Sequence, residues 1–384
     1  MTGKVSFTEW QCDDEKHSVG IATLENEASL NALTFDMLVQ LKDQLDLWKY
    51  DPKIVCILLQ GAGEKAFCAG GDVRTMHNVM RDESKADAQA FCIQYFTVEY
   101  QCDYLIHTYP KPIVVWGEGI VMGGGMGLFM GGSHKVVTPK SRLAMPEINI
   151  GLYPDVGGTW FLNRLEPGIG LFLGLTGALV NATDAVDIHL ADHLLLPETK
   201  DHLLAQLQAT SWQEHNDHHS ILTTLLNSLA KQAIDHKPEN QLMHYFSEVQ
   251  QACDSTDLET IRRNILAISP DSESTHKWLD SAKHALKGGS PITAHICFRQ
   301  MTQHHHLSLA DCFRLELGLS AHCGILGEFQ EGVRARLIDK SGEPQWLFSS
   351  IGDVDTDLIE ALFTSLWSKE QHPLAQLGIE FTSQ

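Results

Sequence analysis

Three stretches of the sequence hold residues able to stabilise a developing negative charge or to move a proton. The first is Lys65-Ala66-Phe67-Cys68-Ala69-Gly70-Gly71-Asp72, downstream of a run of aliphatic residues. The second, Gly123-Gly124-Gly125-Met126-Gly127, follows another such run and opens a helical pattern. Backbone N–H groups from two turns can converge on one oxygen, and at a helix N-terminus the macrodipole reinforces them. An oxyanion hole is built this way, and losing one donor from it costs roughly 2.7–4 kcal/mol of transition-state stabilisation. Tight turns in a closely packed fold would show the same glycines. The third stretch, Ala144 to Gly158, sets Glu147 and Asp155 in a loop shaped by proline and glycine among apolar neighbours. Two acids in a partly desolvated site can split their pKa values and divide nucleophile, base and acid work. The plainer alternatives are a solvated Glu147 or one paired with Arg142, and an Asp155 that caps a helix starting near Gly158.

Other chemistries lack an anchor. The phosphate loop Gly-x-x-x-x-Gly-Lys-Ser/Thr is absent, and Gly123 to Gly127 has the wrong third spacing for a dinucleotide fingerprint. No Gly-x-Ser-x-Gly nucleophile elbow occurs. The histidine-rich pieces His215-Asn216-Asp217-His218-His219 and His304-His305-His306 lack a matching second half-site, so they read as surface histidines and no metal is expected. Glu118, between Gly117 and Gly119, reads as a structural acid.

The elements that must position these residues follow from periodicity. Ser18 to Leu24, Ile54 to Leu59, Ile113 to Trp116 and Lys135 to Thr138 read as strands, the Ile54 and Ile113 runs being apolar enough for burial on both faces. Thr34 is a candidate N-cap for a helix carrying Met37, Leu38, Leu41, Leu45 and Trp48, which Asp51-Pro52 stops. Strands alternating with helices predict parallel βαβ pairing. After about residue 205 glycine becomes sparse, and Ile221 to Ile234 and Leu258 to Ile268 read as amphipathic helices. The expected organisation is an α/β core over residues 1–205 and a mainly helical region over residues 206–384.

Composition bounds the remaining classes. The chain has 384 residues, 43% hydrophobic and 20% charged, enough to bury a sizeable core. Its formal net charge of −21 argues against nucleic acid or an anionic membrane as the main partner. Nine cysteines without a Cys-x-x-Cys pair indicate neither a disulfide framework nor a zinc ribbon. Ile113 to Gly132 is mostly apolar but holds Glu118 and many glycines, so it reads as strand, turn and buried helix rather than a membrane span. Met1 to Gln11 shows no signal-peptide pattern and the first arginine is Arg74, so the expected location is the cytoplasm.

The succession Ser29-Leu30-Asn31-Ala32-Leu33-Thr34, the Ala66-to-Asp72 turn, Met122-Gly123-Gly124-Gly125 and Met145-Pro146-Glu147 resembles the crotonase (enoyl-CoA hydratase/isomerase) superfamily across residues 20–195. Tyr153-Pro154-Asp155-Val156-Gly157-Gly158, with Phe329-Gln330-Glu331-Gly332-Val333-Arg334-Ala335 and Leu337-Ile338-Asp339-Lys340, resembles its hydrolase branch, whose members act on 3-hydroxyisobutyryl-CoA in valine catabolism. The resemblance implies a spiral of ββα units with a helical C-terminal region, and a trimer or hexamer as a possible assembly. It implies hydrolysis of a short 3-hydroxyacyl-CoA thioester, with coenzyme A as part of the substrate and no separate cofactor. The amides of Gly71 and Gly124 would form the oxyanion hole, Glu147 would be the catalytic glutamate and Asp155 its acidic partner. Glu99 would contact the acyl group, and the loop holding Lys65, Ala69 and Asp72 would receive the adenine end of coenzyme A.

A hydratase of this superfamily needs two glutamates, one of them four residues after the first glycine of the triple-glycine turn. That position here is Gly127, which has no side chain. Half of an acid/base pair is missing while thioester activation is retained, which favours hydrolysis over hydration or isomerisation. A non-catalytic acyl-CoA-binding protein is the reading from a different class; the presence of both acids and both turns weighs against it.

Overall fold

The structure, a computed structural model, describes residues 3–213, 217–270 and 273–379. The chain divides into two compact units, each assembled from three separated segments. Met1–Gly71, Leu105–Ala144 and Leu179–His244 form the first, and Asp72–Tyr104, Met145–Ala178 and Tyr245–Gln384 the second.

The first unit holds every strand of the described residues: β1 (Lys4–Gln11), β2 (Ser18–Glu25), β3 (Ile54–Gly61), β4 (Ala66–Cys68), β5 (Ile113–Gly117), β6 (Ile120–Met122), β7 (His134–Val137), β8 (Arg142–Ala144), β9 (Val180–Asn181) and β10 (His193–Leu194). They form a six-stranded sheet in the order β1-β2-β3-β5-β7-β10 and a four-stranded sheet in the order β4-β6-β8-β9. Only the β1–β2 and β8–β9 pairs are antiparallel. The apolar run in β3 has its cause here: the strand lies between parallel neighbours, and Ile54 through Leu59 are all buried. On one side of the large sheet, Val19, Ile21, Cys56, Leu58, Val114, Trp116 and Val136 join Leu203, Leu204 and Leu207 of the Thr199–Ala209 helix and Leu222, Leu226 and Leu229 of the His218–Ala230 helix in one core. Spacing by two on the strands meets spacing by three and four on the helices. Thr34 caps the Phe35–Tyr50 helix, its hydroxyl accepting the Met37 amide at 3.2 Å, and Asp51 ends it.

The apolar stretch from Ile113 to Gly132 contains two short strands, β5 and β6, and the helix Gly124–Gly131. Glu118 lies between the strands, accepts the Trp116 indole N–H at 3.0 Å and pairs with Lys200 at 3.8 Å, which is a structural role. Among the described residues no helix is long and apolar enough to cross a membrane.

The second unit is helical. Most of the Lys85–His107 helix belongs to it, with Ile169–Thr176, Pro291–Gln303 and Leu309–Leu326. The helix expected over Leu258 to Ile268 spans Leu258–Ala267; the one expected over Ile221 to Ile234 is His218–Ala230, in the first unit, continued by a tighter turn at Lys231–His236. All nine cysteines are buried thiols. Of the histidine-rich pieces, His215 and Asn216 lie outside the described residues. Asp217 caps the His218–Ala230 helix, His219 stacks on His134 at 5.8 Å, and His304 stacks on Phe363 at 5.3 Å.

Candidate active site

In the first unit, β4, β6 and β8 run parallel and finish side by side, with Cys68 opposite Val121 and Met122 opposite Ala144. Ligands of open α/β sheets gather at the carboxyl ends of such strands. The segment leaving β4 carries Gly70 and Gly71, and the segment leaving β6 carries Gly123 and Gly124. Gly71 bridges to Leu33, whose N–H donates to the Gly70 carbonyl at 2.8 Å. Gly70 has φ +115°, and a Cβ on it would lie 3.4 Å from the Met122 carbonyl oxygen and 3.7 Å from the Gly124 amide nitrogen. The two glycine turns are therefore neighbours. Glycine is required at 125 for the same reason, since a Cβ there would overlap the carbonyl oxygen of Cys68. At the N-terminus of the Gly124–Gly131 helix the first amides have no earlier turn to donate into.

The remaining residues of the first loop are placed as follows. Lys65 is exposed and its carbonyl accepts the Ile120 amide at 3.1 Å. Ala69 donates its amide to the Leu30 carbonyl at 3.0 Å. Asp72 caps the Val73–Asp82 helix, its carboxylate accepting the Thr75 amide at 3.1 Å and the Thr75 hydroxyl at 2.6 Å. That carboxylate is engaged in holding the helix start.

The second unit gathers five carboxyl groups: Glu99 and Asp103 one turn apart on the Lys85–His107 helix, Glu147 at the start of a 3-10 turn, Asp155 in the following loop and Glu316 on the Leu309–Leu326 helix. None is more than 4% exposed. Burial pushes all five up, because a charged carboxylate loses its water and no cation replaces it. Asp155 reaches about 7, even though a hydrogen bond from Tyr100 favours its charged form. Glu316 reaches about 8. Glu147 lies well above the usual carboxylate range, first through burial and then through the charge of Asp155. Glu99 is raised by burial and then by Asp155, and Asp103 by burial and then by Glu99. Glu147 is thus neither solvated nor paired with Arg142, and Asp155 is not an N-cap: Gly157 takes that position at the Gly158–Leu162 helix. Glu147 Oε2, Glu99 Oε1 and both Asp103 oxygens are buried without a hydrogen-bond partner among the described residues.

The loop around Asp155 is over-determined. Val156 has φ +50° and Gly157 φ +85°, and a buried β-branched residue in the left-handed region is strained. Glu316 holds the strain in place by accepting the amides of Gly157 at 2.8 Å and Thr159 at 2.9 Å. The carboxamide of Gln300 donates to the Pro154 carbonyl at 2.9 Å and to the Thr159 hydroxyl at 2.8 Å.

Comparison with known proteins decides the lineage. The model of the family described as enoyl-CoA hydratase/isomerase matches residues 19–363. The chain belongs to the enoyl-CoA hydratase/isomerase (crotonase) family. Its curated relatives include proteins named 3-hydroxyisobutyryl-CoA hydrolase, mitochondrial, from Gallus gallus, 35% identical over 91% of this chain and 88% of that one, and from Homo sapiens, 32% identical over 93% and 89%. Among solved structures, an enoyl-CoA hydratase from Rhodobacter sphaeroides 2.4.1 superposes with a TM-score of 0.77 at 28% identity, covering 94% of this chain and 97% of that one. A carnitinyl-CoA dehydratase from Mycobacterium thermoresistibile gives 0.78 at 28% identity, covering 94% and 96%. The α/β crotonase fold is thereby shown, and the chain is a crotonase-type acyl-CoA enzyme.

The structure adds Asp103, Glu316, Ser320 and the hydroxyls of Tyr100 and Tyr153 to this crotonase's buried polar cluster. Glu99 and Asp103 carried a signal, since acids four apart in a helix share a face. Glu316 carried a weaker one, as an acid inside the otherwise apolar run Leu315 to Leu319. The two tyrosines and Ser320 meet only through tertiary packing.

Proposed function

We propose that this crotonase hydrolyses the thioester of a short 3-hydroxyacyl-CoA, with 3-hydroxyisobutyryl-CoA as the first candidate. The observation that carries the reading is the buried pair Glu147 and Asp155, whose titrations are linked, combined with Gly127 where a hydratase needs its second glutamate. The named hydrolase relatives support it. In this reading the Gly71 and Gly124 amides stabilise the oxyanion that forms on the thioester carbonyl. Glu147, once ionised, either attacks the carbonyl carbon to give a mixed anhydride or takes a proton from the attacking water. The C–S bond breaks, coenzyme A departs as thiolate, and Asp155 supplies the proton that makes it a thiol. On the anhydride route, water then cleaves the acyl–Glu147 bond and releases the hydroxy acid. Glu99 contacts the acyl hydroxyl, and Lys65, Ala69 and the Asp72 region meet the adenine end of coenzyme A.

The test is a panel of short 3-hydroxyacyl-CoA and enoyl-CoA esters assayed for free thiol and for loss of the enoyl absorbance. Thiol release that exceeds hydration and falls roughly 10²–10⁴-fold in Glu147→Gln supports the reading. Faster hydration, or an unaffected variant, overturns it. Isotope from labelled water in the Glu147 carboxylate after single turnovers would select the anhydride route.

A further inference from the structure

Behind Asp155, four oxygen–oxygen contacts run in series within the second unit. Asp155 Oδ2 lies 2.7 Å from the Tyr100 hydroxyl, which lies 2.7 Å from Ser320 Oγ. Ser320 Oγ is 2.7 Å from the Tyr153 hydroxyl, which ends the series 2.5 Å from the backbone carbonyl oxygen of Glu316. All of these groups are buried. At such separations each contact needs a hydrogen between its oxygens.

The hydrogens can be counted. Three hydroxyls own one each, and the carbonyl at the far end owns none. Four contacts therefore need a fourth hydrogen, which only Asp155 can bring. With Asp155 protonated, every contact is filled in one direction: Asp155 donates to Tyr100, Tyr100 to Ser320, Ser320 to Tyr153 and Tyr153 to the Glu316 carbonyl. With Asp155 ionised, Tyr100 turns its hydrogen to the carboxylate and Tyr153 keeps its own on the carbonyl. Ser320 then has one hydrogen for two neighbours, and one pair of oxygens at 2.7 Å faces lone pair to lone pair.

We infer that Tyr100, Ser320 and Tyr153 form a hydroxyl relay complete only when Asp155 carries a proton, so that the relay favours a proton on Asp155. The three act as positioning residues. Ionisable groups around Asp155 reinforce the effect: Glu99, Tyr100 and Asp103 from the Lys85–His107 helix, Glu147 from its 3-10 turn, Tyr153 from its own loop, and Glu316 and Cys323 from the Leu309–Leu326 helix. None is a cation. Charge on Asp155 is one cause of the raised Glu147, so a proton held on Asp155 eases ionisation of Glu147. The relay thereby separates a nucleophile or base from the acid that protonates the departing thiolate. This consequence for turnover rests on the hydrolase reading, whereas the relay itself does not.

The relay makes a sign prediction that ordinary hydrogen bonding does not. Ser320→Ala and Tyr153→Phe each remove a hydroxyl that never touches the carboxylate. Either change leaves the ionised state without a frustrated contact and the protonated state with an orphaned hydroxyl. The Asp155 midpoint, followed by NMR in the full-length protein with 13C-carboxyl aspartate and assigned by Asp155→Asn, should move to lower pH by roughly half to one unit in each. A hydroxyl that only polarised Tyr100 would move it up on removal. A midpoint unchanged or higher in either variant, with circular dichroism matching the parent, overturns the relay. The titration needs no substrate, so it can succeed where thiol release fails, and the two readings fail separately.

Discussion

Glu316 Oε1 accepts the amide of Thr159 at 2.9 Å across 157 positions of sequence. Its other oxygen accepts Gly157, so one side chain of the Leu309–Leu326 helix pins the segment just after Asp155. Glu316→Ala orphans two buried N–H groups and should cost about 1–3 kcal/mol for each. Glu316→Gln keeps one acceptor and should cost less. Urea unfolding of both variants checks the order.

The buried acids set a pH dependence of stability. Asp155 near 7 and Glu316 near 8 hold protons in the folded chain that the unfolded chain, with ordinary values of about 4, releases. Their contribution is complete below pH about 4 and is lost as pH rises towards about 8. The double variant Asp155→Asn with Glu316→Gln should flatten the fall of melting temperature between about pH 5 and pH 8 relative to the parent. An equally steep fall in the double variant would show that these two groups are not its source.

Gly125 fits against β4 because it has no side chain. Gly125→Ala forces the start of the Gly124–Gly131 helix away from the Cys68 carbonyl, at a cost of about 1–3 kcal/mol. The displaced Gly124 amide should lower kcat for thiol release more than it raises KM, because an oxyanion donor acts in the transition state. A change confined to KM would count against the oxyanion role.

Lys65 is exposed at the start of the β4 loop. If it meets the anionic end of coenzyme A, Lys65→Ala should raise KM a few-fold, leave kcat in place and flatten the salt dependence of KM. Steady-state kinetics at two ionic strengths decide it. An unaltered KM and salt slope would remove Lys65 from the binding role.

Much of the first unit was legible because its signals are local. Thr34 precedes a helical spacing and caps it; Ile54 through Leu59 are apolar without alternation and form a strand buried on both faces. The glycine turns announced themselves for the same reason, since the positive φ at Gly70 and the lack of room for a Cβ at Gly125 each favour one residue type. The acids were legible only in part. Glu147 and Asp155 share a loop and could be read together, whereas Asp103 is marked only by the helix face it shares with Glu99 and Glu316 only by its apolar neighbours.

Lineage, the turns able to present amide hydrogens, the two acids of the Pro/Gly loop and the missing side chain at Gly127 are all written along the chain. Each is a property of residue type and spacing along the chain. Which acids lose their water, and which hydroxyls line up behind Asp155, is settled by packing. Desolvation and hydrogen bonding depend on neighbours in space, and residues 100, 155 and 320 become neighbours only when the helices that carry them pack together.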